Sequence, residues 1–327
     1  KKRCTIYAVL NTNKQMLSRI AESLFWMNRY VERAEGMLRM LKINYVTSLD
    51  KNEKENYNWT PVLQIFTSLD DHEIDKIKDN SQAALRYIIT DKTNTNSIRS
   101  IITKARENAR GVQDHITKEV WESINRYYQK INSKRIEELI DSGEQLYAIS
   151  SLIDESLYFY GVAQVTMPRG EGWNFMNMGK FIERAIQTAD ILDIKFNDIE
   201  YDINNPMDIP YWKNLLLSVS GYEYYMKTYH TGLQTQNVLD MIIMNTDFPR
   251  SILYSTKKIS HIMEKITIEK SEADSLLEKT IGRLRSRIEY SDLQSISEIG
   301  LHKFLEEIMD DVFNFSNKLS KVYFAYH

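Results

Sequence analysis

The chain has 327 residues, 43% of them hydrophobic, enough to fill a sizeable core in one large domain or two ordinary ones. Eleven Gly and five Pro are few for this length, a balance that favours long helices with few tight turns. A formal net charge of -3, from 42 Lys and Arg against 45 Asp and Glu, gives no overall electrostatic pull toward nucleic acid or an anionic membrane, so neither is an expected partner.

The one cysteine, Cys4, excludes an intrachain disulfide framework and fits a reducing compartment, so the cytoplasm is the expected location. No apolar run approaches the roughly 18 to 20 residues that span a bilayer. Residues 1–15 have too short an apolar core for a signal peptide and read as a leader or appendage, whose removal is expected to leave folding nearly unchanged.

In chain order, the spacing predicts a first helix from Leu17 to Tyr45. Thr60-Pro61 then opens a short helix, with Thr60 as its cap. SQAALRYIIT is helical, and two helices follow, Ser97 to Arg110 and another beyond Gly111. Residues 136–165 read as one helix, which Met167-Pro-Arg-Gly-Glu-Gly-Trp173 breaks. Pro210 opens a helix through to Tyr229, TGLQTQNVLDMIIMN makes the next, and Pro249 marks the first turn of another. Helices from Arg250 to Ile266, Ala273 to Tyr290 and Ser297 to Tyr323 complete the chain. No stretch alternates like a strand, so the expectation is an all-α bundle of about ten to twelve helices.

Its organising feature is a duplication. LFWMNRYVERAEGMLRMLKI, from Leu24, returns 151 positions later as FMNMGKFIERAIQTADILDI, from Phe175, and both copies carry Glu-Arg-Ala. Leu24, Met27, Val31, Ala34, Leu38 and Leu41 step by three and four, as do Phe175, Met178, Ile182, Ala185, Ala189 and Leu192, which is one helix face written twice. Glu32-Arg33 and Glu183-Arg184 stand opposite that seam. Phe25, Trp26, Met40, Met176 and Ile191 share their side, and a helix apolar nearly all round is a buried one, so the Glu-Arg pairs should point into protein. Two related halves, about 16–165 and 166–327, are expected to share one core within a single domain of residues 16–327.

Phosphate-loop, dinucleotide and His-Glu-x-x-His patterns are absent, the six His are scattered, and no metal or cofactor is expected. Arg29, Glu32 and Arg33 share one helix sector, and Lys180, Glu183 and Arg184 repeat the arrangement. Arg106, Glu107 and Arg110 form a third cluster that reads more as ordinary surface pairs. Arg169, Glu171 and Arg250 are further binding candidates. Guanidinium groups beside carboxylates suit recognition of carboxylate or phosphate better than proton transfer. If the duplicated helices pair about a two-fold axis, Glu32 should meet Arg184 and Glu183 should meet Arg33, leaving Arg29 and Lys180 as surplus positive charge.

Four segments, MLSRIAESLFWMNRYVERAE from Met16, ARENARGVQDHITKEVWESIN from Ala105, RGEGWNFMNMGKFIERA from Arg169 and DFPRSILYS from Asp247, resemble the bacterial alpha-E proteins. That family is all-helical and named for two Glu-Arg motifs, which map onto Glu32-Arg33 and Glu183-Arg184. Position 180 departs from the pattern, with Lys in place of Arg. The resemblance implies partnership with a circularly permuted ATP-grasp ligase, and beside it a transglutaminase-like peptidase and the proteasome-like peptidase Anbu, a set that would make, attach or trim a peptide. Three readings stay open. The Glu-Arg helices bind an anionic substrate, an intermediate or the ligase; or the chain is an enzyme with Glu32 or Glu183 as general base; or it is a structural adaptor whose ion pairs lock two halves.

Overall fold

The computed structural model describes residues 2–50, 58–197, 199–203, 209–230, 232–267 and 271–325, with side chains from Ser18 to Leu49 in the first helix and throughout the remaining segments. All described secondary structure is helical. The first half comprises α1 (Lys2–Asp50), α2 (Thr60–Phe66), α3 (Asp71–Ile77), α4 (Ser81–Ile89), α5 (Ile98–Gly111), α6 (Lys118–Ile131), α7 (Lys134–Asp141) and α8 (Gln145–Thr166). The second comprises α9 (Glu171–Asn197), α10 (Ile209–Ser218), α11 (Tyr222–Tyr229), α12 (Thr235–Leu239), α13 (Ile252–Ile266), α14 (Glu272–Glu289), α15 (Leu293–Ile299) and α16 (Leu301–Tyr323). Among the described residues no helix is long and apolar enough to cross a membrane.

There are more helices than the apolar spacing suggested, because lone residues break runs that look continuous. Gly143 at φ +90° separates α7 from α8, and Gly300 at φ +92° separates α15 from α16; that left-handed backbone is open to glycine at no steric cost. Ser220, at φ 56°, and Gly221 likewise part α10 from α11. Thr60 is not a cap: Trp59 holds the cap position, and Asn58 Oδ1 accepts from the Thr60 amide. Pro249 lies ahead of α13, whose N-cap is Ser251, accepting from the Tyr254 amide. α1 begins at Lys2, ahead of the expected Leu17. The side chains of the expected leader lie outside the described residues.

Helix packing recurs in the two halves. α5 and α8 pack on α1 as α13 and α16 pack on α9, while α6 joins α5 and α8 as α14 joins α13 and α16. A second sequence repeat accompanies this. Asn94-Thr-Asn-Ser-Ile-Arg-Ser100 recurs 151 positions later as Asn245-Thr-Asp-Phe-Pro-Arg-Ser251. Both segments turn alike: the amides of Asn96 and Asp247 donate to Oδ1 of Asn94 and Asn245 at 2.9 Å. The hydroxyls of Ser100 and Ser251 donate to the carbonyls of those same asparagines. Arg99 and Arg250 are thereby equivalent, at the entries to α5 and α13. A π-helical turn, Asp240–Met244, leads from α12 into the second of these turns.

α1 and α9 form the centre. Asn28 donates to the Met176 carbonyl at 2.7 Å and Gln187 donates to the Arg33 carbonyl at 3.0 Å. Numbers rise together along the two helices, so they run parallel and in register, each position facing its own repeat. Close approach is built in: a Cβ on Gly179 would stand 2.2 Å from the Phe25 carbonyl oxygen, and one on Gly36 would stand 2.1 Å from Gln187 Oε1. The repeated apolar seam is buried as well, every one of its twelve residues. Both sides of each central helix therefore lie inside the protein, one lined with aliphatic groups and the other with charges.

Candidate functional site

Between the two amide contacts lies a layer of buried charge. Arg184 Nε and Nη2 donate to Glu32 Oε1 and Oε2 at 2.6 and 3.0 Å. Reciprocally, Arg33 Nε and Nη2 donate to Glu183 Oε1 and Oε2 at 2.5 and 3.1 Å. This is the cross-pairing that the duplication led us to expect. Both bonds are bidentate, the geometry in which a guanidinium fork fixes a carboxylate most firmly. Glu32 and Glu183 are both fully buried.

Around these reciprocal pairs the two sides diverge. On the Glu183 side, Arg29 Nε donates to Glu183 at 2.7 Å and its Nη1 to Ser316 of α16 at 3.2 Å, with the guanidinium carbon 4.9 Å from the Trp26 ring centre. On the Glu32 side, Tyr160 of α8 donates to Glu32 Oε2 at 2.6 Å. Arg250 comes in from the start of α13, its Nη1 3.8 Å from Glu32 and its Nη2 hydrogen-bonded to Glu35. Arg39 closes on Glu35 from the next turn of α1. Lys180 stands where the repeat has Arg29, yet it makes no ion pair among the described residues: its Nζ lies 4.1 Å from the Tyr160 ring centre.

Burial acts to raise the Glu32 carboxyl, but Arg184 and Arg250 outweigh it and hold it down at about 2. Burial likewise opposes, and Arg33 and Arg29 overcome it, to keep Glu183 below the usual carboxylate range. Burial, then the neighbouring Arg184, push Lys180 down to about 8 against the pull of Glu32. Asp190, two turns beyond Glu183, is pushed up to about 6 by burial and by the nearby Glu183 and Asp193. Burial and the Glu32 carboxylate raise Tyr160 well above the ordinary phenol.

Residues 16–324 match the Alpha-E family, described as a predicted alpha-helical domain with a conserved ER motif. The chain belongs to the Alpha-E family. Uncharacterized proteins of Mycobacterium bovis and of Mycobacterium tuberculosis are each 21% identical over 311 residues, covering 89% of this chain and 35% of their own length. The chain thus spans about a third of the curated relatives it matches. No solved structure matches.

Of the residues singled out in this Alpha-E chain, Arg29, Glu32, Arg33, Lys180, Glu183, Arg184 and Arg250 meet in the central layer. The others lie apart. Arg106 stacks over Tyr128 and Trp121, donates to Asn125 at 2.9 Å and pairs with Glu107, which also pairs with Arg110. Arg169 covers the Trp173 ring and donates to the Met167 and Gln164 carbonyls, capping the end of α8. Glu171 borders a separate hollow of about 240 Å³ with His115, Leu24 and Phe175. Glu35, Arg39, Tyr160 and Asp190 belong to the layer or its edge and were not singled out. Glu35 and Arg39 had a legible signal, since they follow Glu32 at helical steps of three and seven. Tyr160 had none.

Proposed function

We propose that this chain is the helical component of an ATP-grasp-linked system that makes or modifies a peptide, and that its Glu-Arg layer binds an anionic group carried by the substrate, an intermediate or the ligase. The observation that carries the binding half of this reading is Lys180. It is a largely enclosed ammonium beside Arg184 and Arg250 with no carboxylate of its own, and an uncompensated buried charge costs several kcal/mol, roughly, unless a counter-charge arrives. A purely structural lock would have no use for it. The ligase, with a transglutaminase-like peptidase and Anbu beside it, is the partnership that the resemblance to alpha-E proteins implies.

Proton transfer by Glu32 or Glu183 is the weaker reading. Both carboxylates are held low and their oxygens are taken by guanidinium and phenol donors, whereas a general base works best with a pKa near the operating pH. Co-expression with the circularly permuted ATP-grasp protein, affinity purification, and mass spectrometry of small molecules released on denaturation test the proposal. Association or a bound anion that disappears in Lys180→Met, with the helical signal intact, is the expected result. A wild-type protein that neither associates nor carries an anion overturns it.

A further inference from the structure

The two sectors of the Glu-Arg layer are equal by descent and unequal in charge, and the inequality can be traced position by position through the 151-residue repeat. Where the Glu183 sector has Arg29, the Glu32 sector has Lys180. Opposite Ile186 stands Glu35, and opposite Asp190 stands Arg39. Arg250 joins the Glu32 sector through Glu35, but its counterpart Arg99, facing no such carboxylate, turns away to Glu137 at 2.7 Å and the Ile131 carbonyl at 3.2 Å.

The Glu183 sector therefore balances itself: Arg29 and Arg33 stand against Glu183 and Asp190, and Asp190 acts on Arg33. In the Glu32 sector Lys180, Arg184, Arg250 and Arg39 stand against Glu32 and Glu35 alone, a surplus of two positive charges. Donors remain there as well. Arg250 Nη1 at 3.8 Å from Glu32 is too far for a hydrogen bond, and Lys180 makes no hydrogen bond among the described residues. Lys180 is half-buried as a residue, with its ammonium largely enclosed beside Tyr160 and Arg184.

We propose that the Glu32 sector, centred on Lys180 and Arg250, is a single phosphoryl-group site, which takes the dianionic phosphate of a phosphorylated substrate or intermediate, while the Glu183 sector is charge-balanced and purely structural. The inference rests on the anion-binding reading and narrows it. A carboxylate neutralises one of the two surplus charges; a phosphate dianion neutralises both and offers several oxygens to a compact ammonium, whose three rotatable donors act as a point charge. Arg at position 180 would instead have been drawn onto Glu32, as Arg29 is onto Glu183.

The test uses inorganic phosphate and acetate as probes, in calorimetric titrations of the full chain at neutral pH and matched ionic strength. Wild type is expected to bind phosphate at least tenfold more tightly than acetate. Lys180→Met is expected to lose at least tenfold in phosphate affinity, and Arg33→Met, in the balanced sector, to change it less than threefold. Thermal melts of each variant establish that it is folded. Saturation with phosphate should also raise the Lys180 ammonium pKa, read by NMR of the labelled side chain, which a distant surface site would not do. Acetate binding as tightly as phosphate overturns the phosphoryl assignment and leaves the anion-binding reading standing. Equal losses in Lys180→Met and Arg33→Met overturn the placement in one sector. Wild type that binds neither probe overturns the inference, and the ligase association experiment then decides separately whether the broader reading survives.

Discussion

Tyr160 donates its hydroxyl to Glu32 Oε2 at 2.6 Å while its ring stands 4.1 Å from the Lys180 ammonium, so one side chain serves the anion and the cation of the same sector. Tyr160→Phe keeps the ring and removes the hydroxyl. A hydrogen bond to a charged acceptor contributes roughly 1.5 to 3 kcal/mol, so denaturant unfolding should show a loss of about that size. Phosphate affinity should fall little, because the ring beside Lys180 is retained. A stability equal to wild type would mean that the hydroxyl is not held on Glu32 in solution.

Arg184→Met strands Glu32 in a buried position with Tyr160 and the more distant Arg250, and removing one partner of a buried pair costs roughly 3 to 5 kcal/mol. The double variant Glu32→Met/Arg184→Met removes both charges and should recover most of that loss. A double-mutant cycle by urea unfolding checks this. Additive losses would show that the two side chains do not act as a pair.

Stability should vary with pH in three windows. Glu32 is depressed in the folded state, so its contribution is present above the ordinary carboxylate range and is lost as pH falls toward about 2. Asp190 is raised to about 6, which favours its protonated form on folding; stability from this group declines as pH rises from the ordinary Asp range through about 6. Lys180 is lowered to about 8, so the unfolded chain binds more protons above that value, and stability rises with pH from about 8 toward the ordinary Lys range. Unfolding free energies across a pH series should lose the second trend in Asp190→Asn and the third in Lys180→Met.

Of the two close glycines, Gly179 should tolerate alanine less well than Gly36. A Cβ at 179 meets backbone, the Phe25 carbonyl, whereas one at 36 meets the end of the flexible Gln187 side chain. Overpacking costs roughly 1 to 3 kcal/mol, so Gly179→Ala should lie near the upper end. Gly36→Ala should stay within about 1 kcal/mol, since helix propensity favours Ala over Gly by a similar amount. Thermal melts give the order, and a reversed order would refute the close approach at Phe25.

Much of this architecture was legible because helical periodicity is a local signal. The seam of Leu24 to Leu41 and its copy, the charged side opposite, and the cross-pairing of Glu32 with Arg184 all followed from spacing and duplication. The breaks at Gly143 and Gly300 did not, since a lone glycine in an apolar run gives no sign of its φ. Arg250 was singled out, but its meeting with Glu35 joins positions 215 residues apart, and only the packing of α13 against the central helices brings them together. The parallel direction of α1 and α9 was equally invisible, although the pairing of Glu32 with Arg184 was expected. Asp190 was overlooked because one carboxylate in a helix looks like surface until burial raises it.

The amide and glycine contacts that flank the charged layer also bear on what either half can pair with. In register, Gln187 meets Gly36 and donates to the Arg33 carbonyl three residues before it, while Asn28 donates to the Met176 carbonyl and its register partner Gly179 lies against the Phe25 backbone. Two copies of the first half would set Asn28 against Asn28, overcrowded, and Gly36 against Gly36, hollow. Two copies of the second would reverse the fault. The duplicated helices have thus become unlike at both levels: each carries one amide and one glycine, in opposite order, and the pairing of one with the other matches them.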